Sequence, residues 1–215
     1  METKYKYRRT FDYLEIIVLL TLPLPFLNLN IFYILIVLTI VGFSKYLRHE
    51  RWRNYGFNST NKRNLVVAIV VGVIFGISDN YFLEPFLTKL LVGKTPDLSA
   101  LQDTKGNIKK ALILLVIGWL VGGFFEEFFF RGYLFNRINS VIHSIKLQKW
   151  IVIIITSIVF AFAHAYQDLA GIISAFYFSV IMGLLYFYFK KNIWYVVLIH
   201  GIYDTFGVLM LYTGW

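Results

Sequence analysis

The chain of 215 residues contains no cysteine. That absence excludes disulfides, thiolate metal sites and a cysteine nucleophile together, so any chemistry must come from Glu, His, Asp, Ser or Tyr. Charge is scarce as well: 15% of residues are Asp, Glu, Lys or Arg, against roughly 25% in soluble domains. There is no HExxH sequence, no internal repeat and no low-complexity segment. What fills the chain instead is apolar, with 58% hydrophobic and 19% aromatic residues and a mean hydropathy of +0.65. This is the composition of an integral membrane protein. At about 20 apolar residues per crossing, the length allows some six or seven helices, so the expected fold is an all-α, polytopic transmembrane helix bundle in which residues 1–215 form a single membrane domain.

Apolar runs fall at 13–28, 29–47, 64–78, 109–136, 149–166, 170–189 and 193–213. Pro23 and Pro25 break the first, which with the second reads as a helical hairpin whose first arm is kinked. Basic residues precede the first run, but no small-residue cleavage site follows it, so the segment is expected to be retained. In the third run Gly72 and Gly76 stand four apart, a spacing suited to close helix contact. Residues 79–108 hold Pro85 and Pro96 and read as an interfacial helix followed by a solvent loop.

If every run crosses once, Lys4, Lys6, Arg8 and Arg9, the 48–63 loop, Arg137, Lys146 and Lys149, and Lys190 and Lys191 share one side. The positive-inside rule makes that side cytoplasmic, and with it the N-terminus. The excess of 21 Lys and Arg over 12 Asp and Glu is then accounted for by topology and anionic lipid, and nucleic acid is not an expected partner. Asp12, Glu15 and Asp79 are expected near the membrane surfaces, where a charge costs little, and Asp168 is expected to cap the sixth helix. The same composition and basic loops point to a bacterial cytoplasmic membrane.

Six ionisable residues remain inside the runs: Glu126, Glu127 and Arg131 on the fourth, His164 on the fifth, and His200 and Asp204 on the seventh. A charge in hydrocarbon costs roughly 2.5–3.5 kcal/mol on insertion scales, so such residues mark function. At 1.5 Å per residue Glu126, His200 and His164 lie roughly 15, 13 and 20 Å from the cytoplasmic helix ends, close enough in depth to converge. Glu127 and Arg131, four apart, share a helix face and are expected to form an ion pair. Glu126 is turned about 100° away and is left to face the bundle interior. His200 and Asp204, also four apart, can point into one cavity, and Gly118, Gly122 and Gly123 let a neighbouring helix approach just before the glutamates.

The stretch "EEFFFRGYLF" resembles the EExxxR motif of the CAAX protease and bacteriocin-processing (CPBP) family of intramembrane endopeptidases, which includes the type II CAAX prenyl endopeptidases. "FAFAH" at 160–164 is similar to its FxxxH motif, and "HGIYD" at 200–204 to its HxxxN or HxxxD motif. The three motifs occur in order within residues 109–213, the expected protease core. The resemblance implies that Glu126 activates water, that His164 helps to hold that water or a metal, that Glu127 and Arg131 form a supporting ion pair, and that His200 and Asp204 bind metal or stabilise an oxyanion. It leaves two mechanisms open. One is a metal-free glutamic protease; the other is a zinc enzyme using Glu126, His164, His200 and Asp204 as its donors. Many members carry Asn where this chain has Asp204, and an ionised carboxylate repels an oxyanion whereas an amide donates to it, which favours the metal reading.

The expected partners are the lipid bilayer and a membrane-associated or lipidated peptide or protein substrate. An alternative from another class is a non-hydrolytic membrane protein, a bacteriocin immunity factor or a proton-coupled transporter, using the same groups for binding or proton relay. A transporter of the common kind would show repeated halves, and none is visible. A single buried His is usually a helix–helix hydrogen bonder, and Phe128, Phe129, Phe130 and Phe160 read most simply as packing. The set of Glu126, His164 and His200 is what sets this sequence apart.

Overall fold

The computed structural model describes residues 2–21, 31–142 and 146–214, and side chains from Thr10 onward within them except at position 31. Seven helical segments follow in chain order. They are α1 (Glu2–Thr21), α2 (Ile31–Arg48), α3 (Lys62–Val92), α4 (Ile108–Val141), α5 (Gln148–Ala163), α6 (Asp168–Tyr188) and α7 (Ile193–Thr213). No strand occurs among the described residues. A helical bundle satisfies each backbone N–H and C=O within its own segment, as hydrocarbon demands. α3, α4, α7 and the segment Ala165–Tyr188 are each long and apolar enough to cross a membrane, while α5 is a shorter apolar helix. The chain is an integral membrane protein. Pro23 and Pro25 lie outside the described residues, as does His143.

Helix starts follow local chemistry. Asn61, Asn107 and Asn192 each accept a hydrogen bond through the side chain from a backbone N–H of the first turn, at 2.9, 3.2 and 3.2 Å. Asp168 caps α6 as expected, accepting from Ala170 N at 2.7 Å, and also pairs with Lys94 at 2.6 Å. The basic loops gather at one end: Ile193 N donates to Gly56 O at 2.9 Å and Asn136 Nδ2 to Asn54 O at 2.6 Å. At the other end Gly106 N donates to Tyr212 O at 2.9 Å and Asp97 N to Gln167 O at 3.1 Å.

α7 is the hub, packed against α3, the first half of α4 and α6. Its approach depends on glycine. A Cβ on Gly72 would stand 3.1 Å from Ile202 Cβ, and one on Gly76 only 2.6 Å from the Phe206 ring. A Cβ on Gly123 would meet Gly201 Cα at 3.2 Å. The two glycine groups legible in the sequence therefore serve one helix, which they let settle between α3 and α4.

Two expectations are corrected. The third crossing does not end at residue 78. It continues through a wide π-helical turn, Asp79–Leu83, into Glu84–Val92, because Pro85 sits in the first turn of that last segment, where proline lacks no bond the helix needs. Asp79 is consequently fully buried, not near a surface. Glu15 is buried as well. It pairs with Arg48 at 2.6 Å and accepts from Tyr133, while Arg48 also pairs with Asp12 at 2.5 Å and Arg137 binds Glu50. Arg137 is thus neutralised inside this cluster. Burial pushes the Glu50 carboxyl up, but hydrogen bonds from Arg137 and Tyr55 and the charges of Arg137 and Arg48 outweigh that and hold it below the usual carboxylate range.

Candidate active site

Within α4 the chain is wound in wide π-helical turns over Gly118–Glu126 and Phe128–Leu134, on either side of Glu127. Such turns concentrate at functional sites. Glu127 and Arg131 form the expected ion pair, Oε1 to Nη1 at 2.9 Å, with both side chains essentially inaccessible. Arg131 Nη2 also donates to Ser179 O at 3.0 Å and Ser179 Oγ at 2.8 Å, which ties α4 to α6.

Glu127 has a second task that the sequence does not announce. The same Oε1 lies 2.8 Å from His200 Nδ1. A carboxylate there accepts, so Nδ1 carries a proton and Nε2 is turned toward the interior. His200 Nε2 then stands 3.6 Å from Asp204 Oδ1 and 4.0 Å from Glu126 Oε2. Glu126 is 6% exposed and accepts no hydrogen bond among the described residues. Room for this group comes from glycine again: a Cβ on Gly122 would lie 2.3 Å from Asp204 Oδ2 and 3.3 Å from His200 Nε2.

His164 ends α5. Its Nδ1 lies 2.9 Å from Phe160 O, and its ring stacks on that of Phe160 with centroids 4.6 Å apart. The four-residue spacing of FxxxH thus has a physical content: one phenylalanine fixes both the tautomer and the plane of the histidine. Phe160 in turn lies 5.0 Å from Phe130 and 5.1 Å beneath the Arg131 guanidinium, joining α5 to the α4 motif. The packing role expected of Phe160 and Phe130 holds.

The structure therefore brings together Glu126, Glu127, Arg131, His200 and Asp204. His164 flanks them within Coulombic range of His200 but forms no hydrogen bond or ion pair with Glu126, Glu127 or Asp204 among the described residues. Three aromatic residues escaped the sequence reading. Phe178 on α6 packs edge-on to His200 at 4.8 Å. Tyr33 on α2 lies near Glu126 and edge-on to Phe125 and Phe129. Tyr166 stacks beyond His164, with centroids 6.0 Å apart. Only their contacts with the site identify them, since aromatics are too common in this chain for type alone to single them out.

For the zinc expectation, among the described residues no group of three or more His, Asp or Glu side chains is arranged to hold a metal ion. His164 and His200 are each engaged at Nδ1, by Phe160 O and Glu127 Oε1, which leaves Nε2 of each as the ring nitrogen able to ligate.

Residues 108–206 match the family model described as Type II CAAX prenyl endopeptidase Rce1-like, a stretch that contains all three motifs. Over this stretch the chain is similar to the Rce1-like family, and that similarity indicates an intramembrane endopeptidase in general. No curated protein and no solved structure matches the chain.

Proposed function

We propose that the protein hydrolyses a peptide bond of a membrane-associated or lipidated peptide by a glutamic mechanism in which Glu126 is the general base. The observation that carries this reading is the Glu126 carboxylate, buried, without a hydrogen-bond donor among the described residues, and facing His200 Nε2 across 4.0 Å. A water between Glu126 and the His164 imidazole gives its proton to Glu126 while its oxygen bonds to the scissile carbonyl carbon. The oxyanion so formed is stabilised by His200 as an imidazolium, whose Nε2–H donates to it while Nδ1–H donates to Glu127. As the C–N bond breaks, Glu126 returns the proton to the leaving amine. Glu127 keeps the His200 ring in place through Nδ1, and Arg131 fixes Glu127. Nothing in the geometry favours the non-hydrolytic alternative of an immunity factor or a transporter.

Glu126→Gln keeps the shape but cannot take a proton. Loss of a general base costs roughly 10²–10⁴ in rate, so folded but inactive protein is expected. Comparing membrane peptides from cells carrying the wild type with those carrying Glu126→Gln tests both the activity and its substrate. Identical peptide profiles would sink the reading.

For orientation, we propose that the end holding the basic loops, and the N-terminus with it, faces the cytoplasm of a bacterial cell. The chain lacks cysteine, so Ala100→Cys provides a clean reporter. Labelling of this residue in intact cells by an impermeant maleimide is expected. Protection of position 100 together with labelling of Arg53→Cys would invert the assignment.

A further inference from the structure

At position 204 this chain presents a carboxylate, which while ionised donates no hydrogen bond to an oxyanion. His200 Nδ1 is already committed to Glu127. A second donor for the tetrahedral intermediate must therefore come from elsewhere, and one side chain beside the site has a hydroxyl hydrogen to spare.

Tyr166 lies on the short turn Ala165–Gln167 between α5 and α6. Its ring is layered on His164, which is itself layered on Phe160, so three rings form one stack that fixes the phenol's direction. The phenol oxygen accepts a hydrogen bond from Gln167 Nε2 at 3.1 Å. Its own O–H has no acceptor among the described residues. The group also lies within Coulombic range of both Glu126 and Asp204, with its ring centroid 6.0 Å from that of His164. Tyr166 is 49% exposed, so it is not sealed in the core. An oriented donor with a free hydrogen at the edge of an acidic site is what a developing alkoxide requires.

We propose that Tyr166 is a catalytic residue whose phenol O–H donates to the oxyanion of the tetrahedral intermediate, supplying the hydrogen bond that a carboxylate at position 204 does not. This rests on the hydrolytic reading above. It assigns the Ala165–Gln167 turn to the active site and predicts that the side chains at 166 and 204 are coupled.

The test uses purified full-length protein in proteoliposomes and, as probe, a quenched-fluorescent peptide ending in a prenylated C-a-a-X sequence. Tyr166→Phe retains the ring stack and removes only the hydroxyl. Loss of one oxyanion donor costs roughly 10²–10³ in kcat, so a fall of that order is expected, with KM and the thermal unfolding midpoint unchanged. In an Asp204→Asn background, where an amide restores a donor, the same substitution is expected to cost at least about tenfold less. Wild-type kcat in Tyr166→Phe overturns the proposal, as does aggregation of that variant, which would make the hydroxyl structural. An equal loss in both backgrounds overturns the coupling. Wild-type protein no more active than Glu126→Gln overturns the hydrolytic reading and this role with it, an outcome distinct from active wild type with unimpaired Tyr166→Phe.

Discussion

Two of the acidic clusters buried among the described residues use their carboxylates in opposite ways. On α3, Asp79 accepts from Tyr177 at 2.9 and 3.0 Å and from Tyr203 at 2.8 Å, while Glu84 accepts from Ser174. Every partner there is a hydroxyl, and both oxygens of Asp79 are engaged. On α4, Glu127 instead binds a guanidinium and an imidazole through one oxygen, and its other oxygen and Arg131 Nε are buried without a partner among the described residues. Glu126 beside it accepts no hydrogen bond among them. Both clusters lie against α7, and both carry the cost of placing carboxylates in hydrocarbon. Hydroxyl donors to both oxygens of Asp79 and to one of Glu84 fix α3 to α6 and α7. Unspent capacity on α4 is what the proposed mechanism draws on.

The comparison breaks most readily at its ionic centre. Arg131→Met would leave Glu127 buried with His200 alone, and removing one partner of a buried ion pair costs roughly 3–5 kcal/mol. A lower unfolding midpoint in detergent and poor accumulation are expected. Arg131→Met combined with Glu127→Gln removes the orphaned charge and should recover part of that loss. If Arg131→Met unfolds at the wild-type midpoint, the pair is not what holds α4, and the division of labour between the two glutamates fails with it.

That division was legible in the sequence because it depends on spacing alone: four residues place Glu127 and Arg131 on one face, and Glu126 goes elsewhere whatever the tertiary packing. The glycine groups were legible for the same reason, although only the packing reveals that both receive the same helix. The second acidic cluster was hidden. Asp79 sits where proline and polar residues crowd the sequence, and these read as a membrane boundary, while the chain instead carries the helix on through the π-helical turn at Asp79–Leu83. Its tyrosine donors lie 98 and 124 residues away, beyond any local pattern. The double use of Glu127 Oε1 was hidden likewise, because a partner on α7 leaves no periodic trace on α4. Spacing within a helix could be read, but contacts between helices had to be seen.

The smallest expected effect sharpens the contrast from the α3 side. Asp79→Asn keeps an oxygen that accepts from one tyrosine hydroxyl and an amide that donates to the other, since a phenol oxygen also accepts. A net hydrogen bond is worth about 0.5–1.5 kcal/mol, so exchanging one arrangement for the other should shift stability by about 1 kcal/mol or less and leave hydrolysis intact. Asp79→Ala, by contrast, strands the hydroxyls of Tyr177 and Tyr203 in the interior, at roughly 1–3 kcal/mol for each buried group left without a partner. The expected order of unfolding midpoints is therefore wild type, Asn, then Ala, with turnover per folded molecule unchanged in the Asn variant. Turnover in Asp79→Asn as low as in Glu126→Gln would show that the α3 carboxylate takes part in the chemistry. The separation into a structural and a reactive cluster would then have to be given up.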